Sequence, residues 1–152
     1  MIMVTPIGYV RSPRGDLRDD HWGDVEARIE IAADYDPACL DGIEAFSHAE
    51  VLFQFNRVAE GAIERGARHP RGTREWPRVG IFAQRGKDRP NRLGSTIVRI
   101  AGRDGRVLRV IGLDAIDGTP VLDIKPVMVE FLPREAVRQP EWAHELMREY
   151  WR

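Results

Sequence analysis

The sequence predicts a mainly β fold: a small single-domain barrel of about seven short strands with a C-terminal helix. Three observations carry this prediction. Stretches that alternate apolar with polar residues recur along most of the 152-residue chain, which is the period of strands with one buried face. Clusters of glycine, proline and aspartate separate them at short intervals, as in an antiparallel barrel rather than in alternating βα units. Only residues 139–152 change to a helical period. The length is that of one domain, spanning 1–152.

The elements follow in order. "IGYVRS" opens the first strand. "DVEARIEIAA" places Val25, Ala27, Ile29 and Ile31 on one face and Glu26, Arg28 and Glu30 on the other. "AEVLFQFN" alternates Val51, Phe53 and Phe55. "RVGIFAQ" reads as a fourth strand and "STIVRIAG" as a fifth. "RVLRVIGL" is the sixth, reached across Asp104-Gly105, a strong tight-turn signal. "TPVLDIKPV" is the seventh. In "QPEWAHELMREYWR", Pro140 suits a first helical turn and Glu141 the positive end of the dipole. Trp142, Leu146 and Tyr150 form a stripe at four-residue spacing, fit to pack on the sheet or on a partner subunit. The polar stretch "GARHPRGTREWPR" reads as a mobile loop.

Composition excludes several classes. A hydrophobic share of 43% and a charged share of 31% describe a soluble globular protein. No apolar run approaches the ~18 residues a membrane helix needs, and "MIMVTPIGYV" has no basic region and no cleavable apolar segment, so no secretion signal is expected. A single cysteine, Cys39, excludes an internal disulfide and reads as a small packed side chain in a reducing, cytoplasmic setting. The four histidines, His21, His48, His69 and His144, lack metal-ligand spacing, so no metal is expected. His48, among apolar neighbours, reads first as a hydrogen-bonded core residue. No G-x-G-x-x-G joins a strand to a helix, and neither a phosphate loop nor a nucleophile elbow occurs.

Charge is uneven. The net charge is −1, yet residues 65–92 hold nine basic and two acidic residues. Such a stretch attracts a polyanion, unless its arginines pair with acids from elsewhere in the chain. A second unusual segment is "GLDAIDGTPVLDIKP". Its Asp117-Gly118-Thr119-Pro120 is a turn signal. Asp123 and Lys125 sit in an apolar strand, where charges require partners or solvent, and they point to a pocket rim.

Four landmarks in one order resemble the TrmO (TsaA-like) family of S-adenosylmethionine-dependent tRNA adenine-N6 methyltransferases. They are "PIGYVRSP", "GIEAFSHAEVLF", "GIFAQRGKDRPNRLGS" and "GLDAIDGTPVLDIKP", together spanning about residues 6–130. The resemblance implies a short single-domain β-barrel member that binds S-adenosyl-L-methionine near a homodimer interface. It implies methylation of N6 of the threonylcarbamoyl-modified adenosine beside the tRNA anticodon. Carried over motif by motif, the cofactor-binding residues are His48, Ala49, Arg85, Ser95, Asp117, Gly118, Thr119 and Pro120. Arg89 and Asn91 would lie nearest the reacting base, and Arg65, Arg68, Arg71 and Arg74 would serve phosphates of the anticodon stem-loop. The proton acceptor stays open among Asp117, Asp123 and a substrate carboxylate. One departure stands out. Where the family has P-R-Q, this chain reads "DDHWGD", with Trp22 available to stack on the cofactor instead. Two other functions remain open: methylation of a small molecule or another nucleobase, and a non-catalytic nucleotide- or RNA-binding barrel.

Overall fold

A computed structural model of the chain describes residues 1–152. Six strands close into an antiparallel barrel: β1 (Gly8–Arg11), β2 (Glu26–Ile31), β3 (His48–Gln54), β6 (Leu93–Asp104), β7 (Val107–Ile111) and β8 (Pro120–Pro126). Around the barrel the order is β1-β2-β7-β6-β3-β8. The alternation dictates this closure. Ala27, Ile29, Ile31, Val51, Phe53, Leu108, Val110 and Val121 all point inward and are buried, and each large apolar side chain contributes about 1.5–3 kcal/mol. Val25 and Phe55, placed on the same faces by the sequence, lie at the strand ends and are less completely covered. β6 and β7 form a hairpin across Asp104-Gly105, where Gly105 has φ +62°.

One expected strand does not join the barrel. "RVGIFAQ" contributes only β5 (Val79–Gly80), which pairs with β4 (Ala67–Arg68) in a separate two-stranded ribbon. Its continuation turns at once into a 3-10 turn over Ile81–Ala83, which buries Ile81. Gln84 secures the ribbon by donating to the carbonyls of Arg68 and Val79 at 3.0 and 2.9 Å. The polar stretch 66–78 is therefore held down rather than mobile. Pro70 is buried, and the His69 ring pairs with the Trp76 carbonyl at 2.8 Å.

The C-terminal helix is shorter than the pattern implied. α1 covers Glu141–Met147 instead of 139–152. The carbonyls of Glu149 and Tyr150 accept from the backbone N–H groups of His21 and Trp22 at 3.0 and 2.8 Å. That pairing replaces further helix with a segment laid along residues 21–23. Cys39 is exposed, not packed, because the 3-10 turn at Pro37–Leu40 turns Leu40 inward in its place. No helix is long and apolar enough to cross a membrane.

Candidate cofactor and substrate site

The outer faces of β3 and β6 carry the first part of the site. His48, Glu50, Ser95 and Ile97 alternate outward, opposite the buried Ala49, Val51, Thr96 and Val98. Ser95 donates its hydroxyl to Glu50 Oε1 at 2.8 Å across the two strands. Arg85 arrives from the 81–92 loop and donates from Nη2 to the Ser95 carbonyl at 2.6 Å. His48 is exposed, and its Nδ1 pairs with Ser47 Oγ at 2.7 Å. The reading of His48 as a core histidine is thus overturned, because strand alternation turns Ala49 inward and His48 outward.

The loop itself is braced by its own cations. Arg89 donates to the carbonyls of Gln84 and Gly86 at 2.7 and 3.4 Å, and Arg92 to that of Val58 at 2.8 Å. Asn91 and Arg92 are both left-handed, with φ +62° and +53°. Non-glycine residues resist that region, by about 1–3 kcal/mol where the side chain does not adapt, so the surroundings hold this loop in shape. Asn91 is exposed at its tip.

Much of the positive charge in 65–92 is spent on the fold. Arg68 pairs with Asp88 at 2.8 Å and Arg71 with Asp20 at 3.1 Å. Two of the four arginines expected to serve distant phosphates are therefore committed internally. Arg65, Arg74 and Arg78 are exposed and make no side-chain bond.

The loop between β7 and β8, residues 112–119, spans one end of the barrel. Its Asp114 accepts from the hydroxyls of Thr96 and Tyr150. Burial pushes the Tyr150 phenol far above its ordinary value of 10.0, and the Asp114 carboxylate raises it further, while Arg71 and Arg85 pull it down. The unfolded phenol ionises above pH 10 and the folded one does not, so stability is intact below pH 10 and falls above it. The slope is about 1.4 kcal/mol per pH unit for this one proton. Tyr150→Phe is expected to remove that component, as urea unfolding at pH 9, 10 and 11 would read.

Further along the same loop, Asp117 accepts from the Ser12 backbone N–H at 3.1 Å, and Thr119 donates its hydroxyl to the Ile116 carbonyl at 2.7 Å. Thr119 and Pro120 are buried. Asp117 lines a cavity of about 520 Å³ with Arg11, Ser12, Arg28 and Arg109. His48 lines a different one, of about 350 Å³. The structure places Arg85 on the Ser95 carbonyl, but His48 pairs with Arg99, four residues further along β6, Ala49 faces the barrel interior, and Asp117 lines a separate opening. Asp123 and Lys125 line neither. They pair with each other at 3.3 Å on the outer face, so solvent and mutual attraction satisfy them, not a pocket rim.

Trp22 is packed inside the chain. It is 3% exposed, and the Arg14 guanidinium lies 3.6 Å over its ring. The aromatic residue that lines the His48 cavity is Trp151, which sequence reasoning missed because the helical period of its segment hid a non-helical tail.

The family model of the tRNA-methyltransferase O N-terminal domain matches residues 17–131, more than half of the chain. The chain belongs to this family. It is 35% identical to a probable S-adenosyl-L-methionine-binding protein of Pyrococcus abyssi over 144 residues, covering 91% of this chain and 74% of that one. It is 36% identical to the tRNA (adenine(37)-N6)-methyltransferase of Escherichia coli over 133 residues, covering 83% of this chain and 51% of the enzyme. A crystal structure of TrmO from Pseudomonas aeruginosa superposes with a TM-score of 0.75 at 28% identity, covering 93% of this chain and 62% of that one. The chain thus spans about half to three quarters of the length of these TrmO-family relatives. The mainly β barrel read from the sequence is the fold found, with six barrel strands in place of about seven.

Proposed function

We propose that this chain is an S-adenosyl-L-methionine-dependent methyltransferase acting on N6 of the adenosine beside a tRNA anticodon. The observation that carries the reading is the bond from Arg85 to the Ser95 carbonyl, on the strand that pairs with β3, in a chain of the TrmO family. The residues suit the cofactor in kind. Arg85 has guanidinium nitrogens free beyond its one bond and would hold a carboxylate. The cavity beside His48 has room for a purine and its ribose. The cofactor, when bound, supplies an electrophilic methyl group on a sulfonium. The protein's own contribution is then placement: Arg85 and the braced 85–92 loop hold the reactants in line, and positioning of this kind supplies most of the acceleration. Mass spectrometry of tRNA nucleosides from a deletion strain tests the reading. Loss of the N6-methyl nucleoside, restored by the chain, is expected; an unchanged nucleoside profile would point to a small-molecule substrate.

For tRNA, Arg65, Arg74 and Arg78 are the cations free to meet phosphates. Replacing all three by alanine should weaken binding of an anticodon stem-loop. It should also flatten the salt dependence, by about 0.7 to 0.9 log units of slope for each phosphate no longer neutralised. Binding of S-adenosylhomocysteine should be unaffected. Filter binding at several salt concentrations reads both.

A homodimer completes the reading, and the aromatic stripe of α1 is not its basis. The Trp142–Leu146 face is half-buried against its own chain, where Trp76 donates to Glu145 at 2.8 Å. Exposed apolar side chains also occur on the segment between β8 and α1, where Val129 is 76%, Phe131 85% and Val137 72% exposed. Association of two chains would cover such side chains. Light scattering at micromolar concentration should report twice the chain mass, and Phe131→Glu should shift it to the monomer.

A further inference from the structure

The cavity that holds His48 is closed on one side by a segment outside the family match. Residues 149–152 lie beyond 17–131, yet three independent contacts seat them. The backbone N–H groups of His21 and Trp22 donate to the Glu149 and Tyr150 carbonyls, and the His21 ring pairs with the Arg152 carbonyl at 3.0 Å. Tyr150 is anchored through its hydroxyl on Asp114. Gly23 lies directly beneath, where any Cβ would strike the Trp151 carbonyl. This much fixation delivers one side chain to a stated place. The Trp151 ring packs edge-on against Tyr150 at 4.8 Å and still leaves the residue 44% exposed at the cavity.

The other lining residues are suited to a flat heteroaromatic ring. Ile97 and Ile111 present apolar surface, Asp24 offers a carboxylate acceptor, and Arg99 and His48 complete the lining. Gly23 and Gly112 leave part of it free of side chains. An indole, two apolar branches and a carboxylate that accepts from an exocyclic amine, all lining one cavity, match adenine better than a ring edge that presents only carbonyls. We propose that Trp151 is the wall on which an adenine ring stacks in this cavity. The proposal rests on the methyltransferase reading, which supplies two adenines: that of the cofactor and that of the substrate nucleotide.

Calorimetric titration of S-adenosylhomocysteine, and separately of an anticodon stem-loop RNA, into wild type, Trp151→Ala and Trp151→Phe tells the two sources apart. Trp151→Ala is expected to weaken one ligand by roughly 5- to 150-fold. Trp151→Phe keeps a ring and should stay within about threefold of wild type. Loss confined to S-adenosylhomocysteine assigns the wall to the cofactor, and loss confined to RNA assigns it to a substrate base. Unchanged affinity of Trp151→Ala for both ligands overturns the proposal, and so does equal loss in the alanine and phenylalanine variants. Wild-type protein that binds neither ligand removes the methyltransferase reading and the wall together. Wild-type binding with an indifferent Trp151→Ala removes the wall alone.

Discussion

Asp114→Ala is expected to lower the free energy of unfolding by about 3 kcal/mol and to release the C-terminal segment. The carboxylate accepts from Thr96, which is buried inside β6, and from Tyr150, which anchors residues 149–152. Alanine leaves both hydroxyls without a partner. A stranded buried donor costs about 1–3 kcal/mol, and bonds to a charged acceptor lie at the upper end. The two losses share one acceptor and will not simply add. Asp114→Asn keeps one acceptor oxygen without the charge and should lose about half as much. Urea unfolding gives the energies. Hydrogen exchange locates the damage, since the His21 and Trp22 amides bonded to Glu149 and Tyr150 should lose protection before the barrel amides do. A loss below about 1 kcal/mol would mean that Asp114 is solvated in the native state and does not organise this end of the barrel.

The barrel was legible because alternation is a local property. Ala27, Ile29 and Ile31 in β2, and Val51 and Phe53 in β3, point inward as their spacing requires. Where tertiary bonds decide, local pattern misleads. "RVGIFAQ" has strand composition, but Gln84 ties its end to the Arg68 and Val79 carbonyls and so folds it into a ribbon outside the barrel. The tail 148–152 has helical period, but the amides of His21 and Trp22 capture its carbonyls. The same capture explains the exchange of tryptophans at the site. Trp22 adjoins the altered P-R-Q position and invites a ligand role, yet Arg14 stacks on it in the interior. Trp151 reaches the His48 cavity from more than a hundred residues away in sequence. Charge was legible only as a sum. The arginines of 65–92 divide into braces such as Arg68, Arg71, Arg89 and Arg92 and free cations such as Arg65, and only coordinates separate them.

Arg85→Ala is expected to weaken S-adenosylhomocysteine binding by about 1.5–3 kcal/mol, roughly 10- to 150-fold, with little change in stability. Both halves of that expectation follow from its position. The side chain is exposed and makes one bond, from Nη2 to the Ser95 carbonyl. The rest of the loop stays braced by Arg89 and Arg92, so the fold should lose less than about 1 kcal/mol. The remaining guanidinium donors form a planar fork next to Ser95, suited to a carboxylate held by two bonds. Lysine keeps the charge but loses the fork, so Arg85→Lys should fall between wild type and Arg85→Ala. Calorimetry and a denaturation curve on the three proteins complete the test. Wild-type affinity in Arg85→Ala would assign the cofactor carboxylate to another cation. A large stability loss in parallel would make Arg85 a brace like its neighbours Arg89 and Arg92.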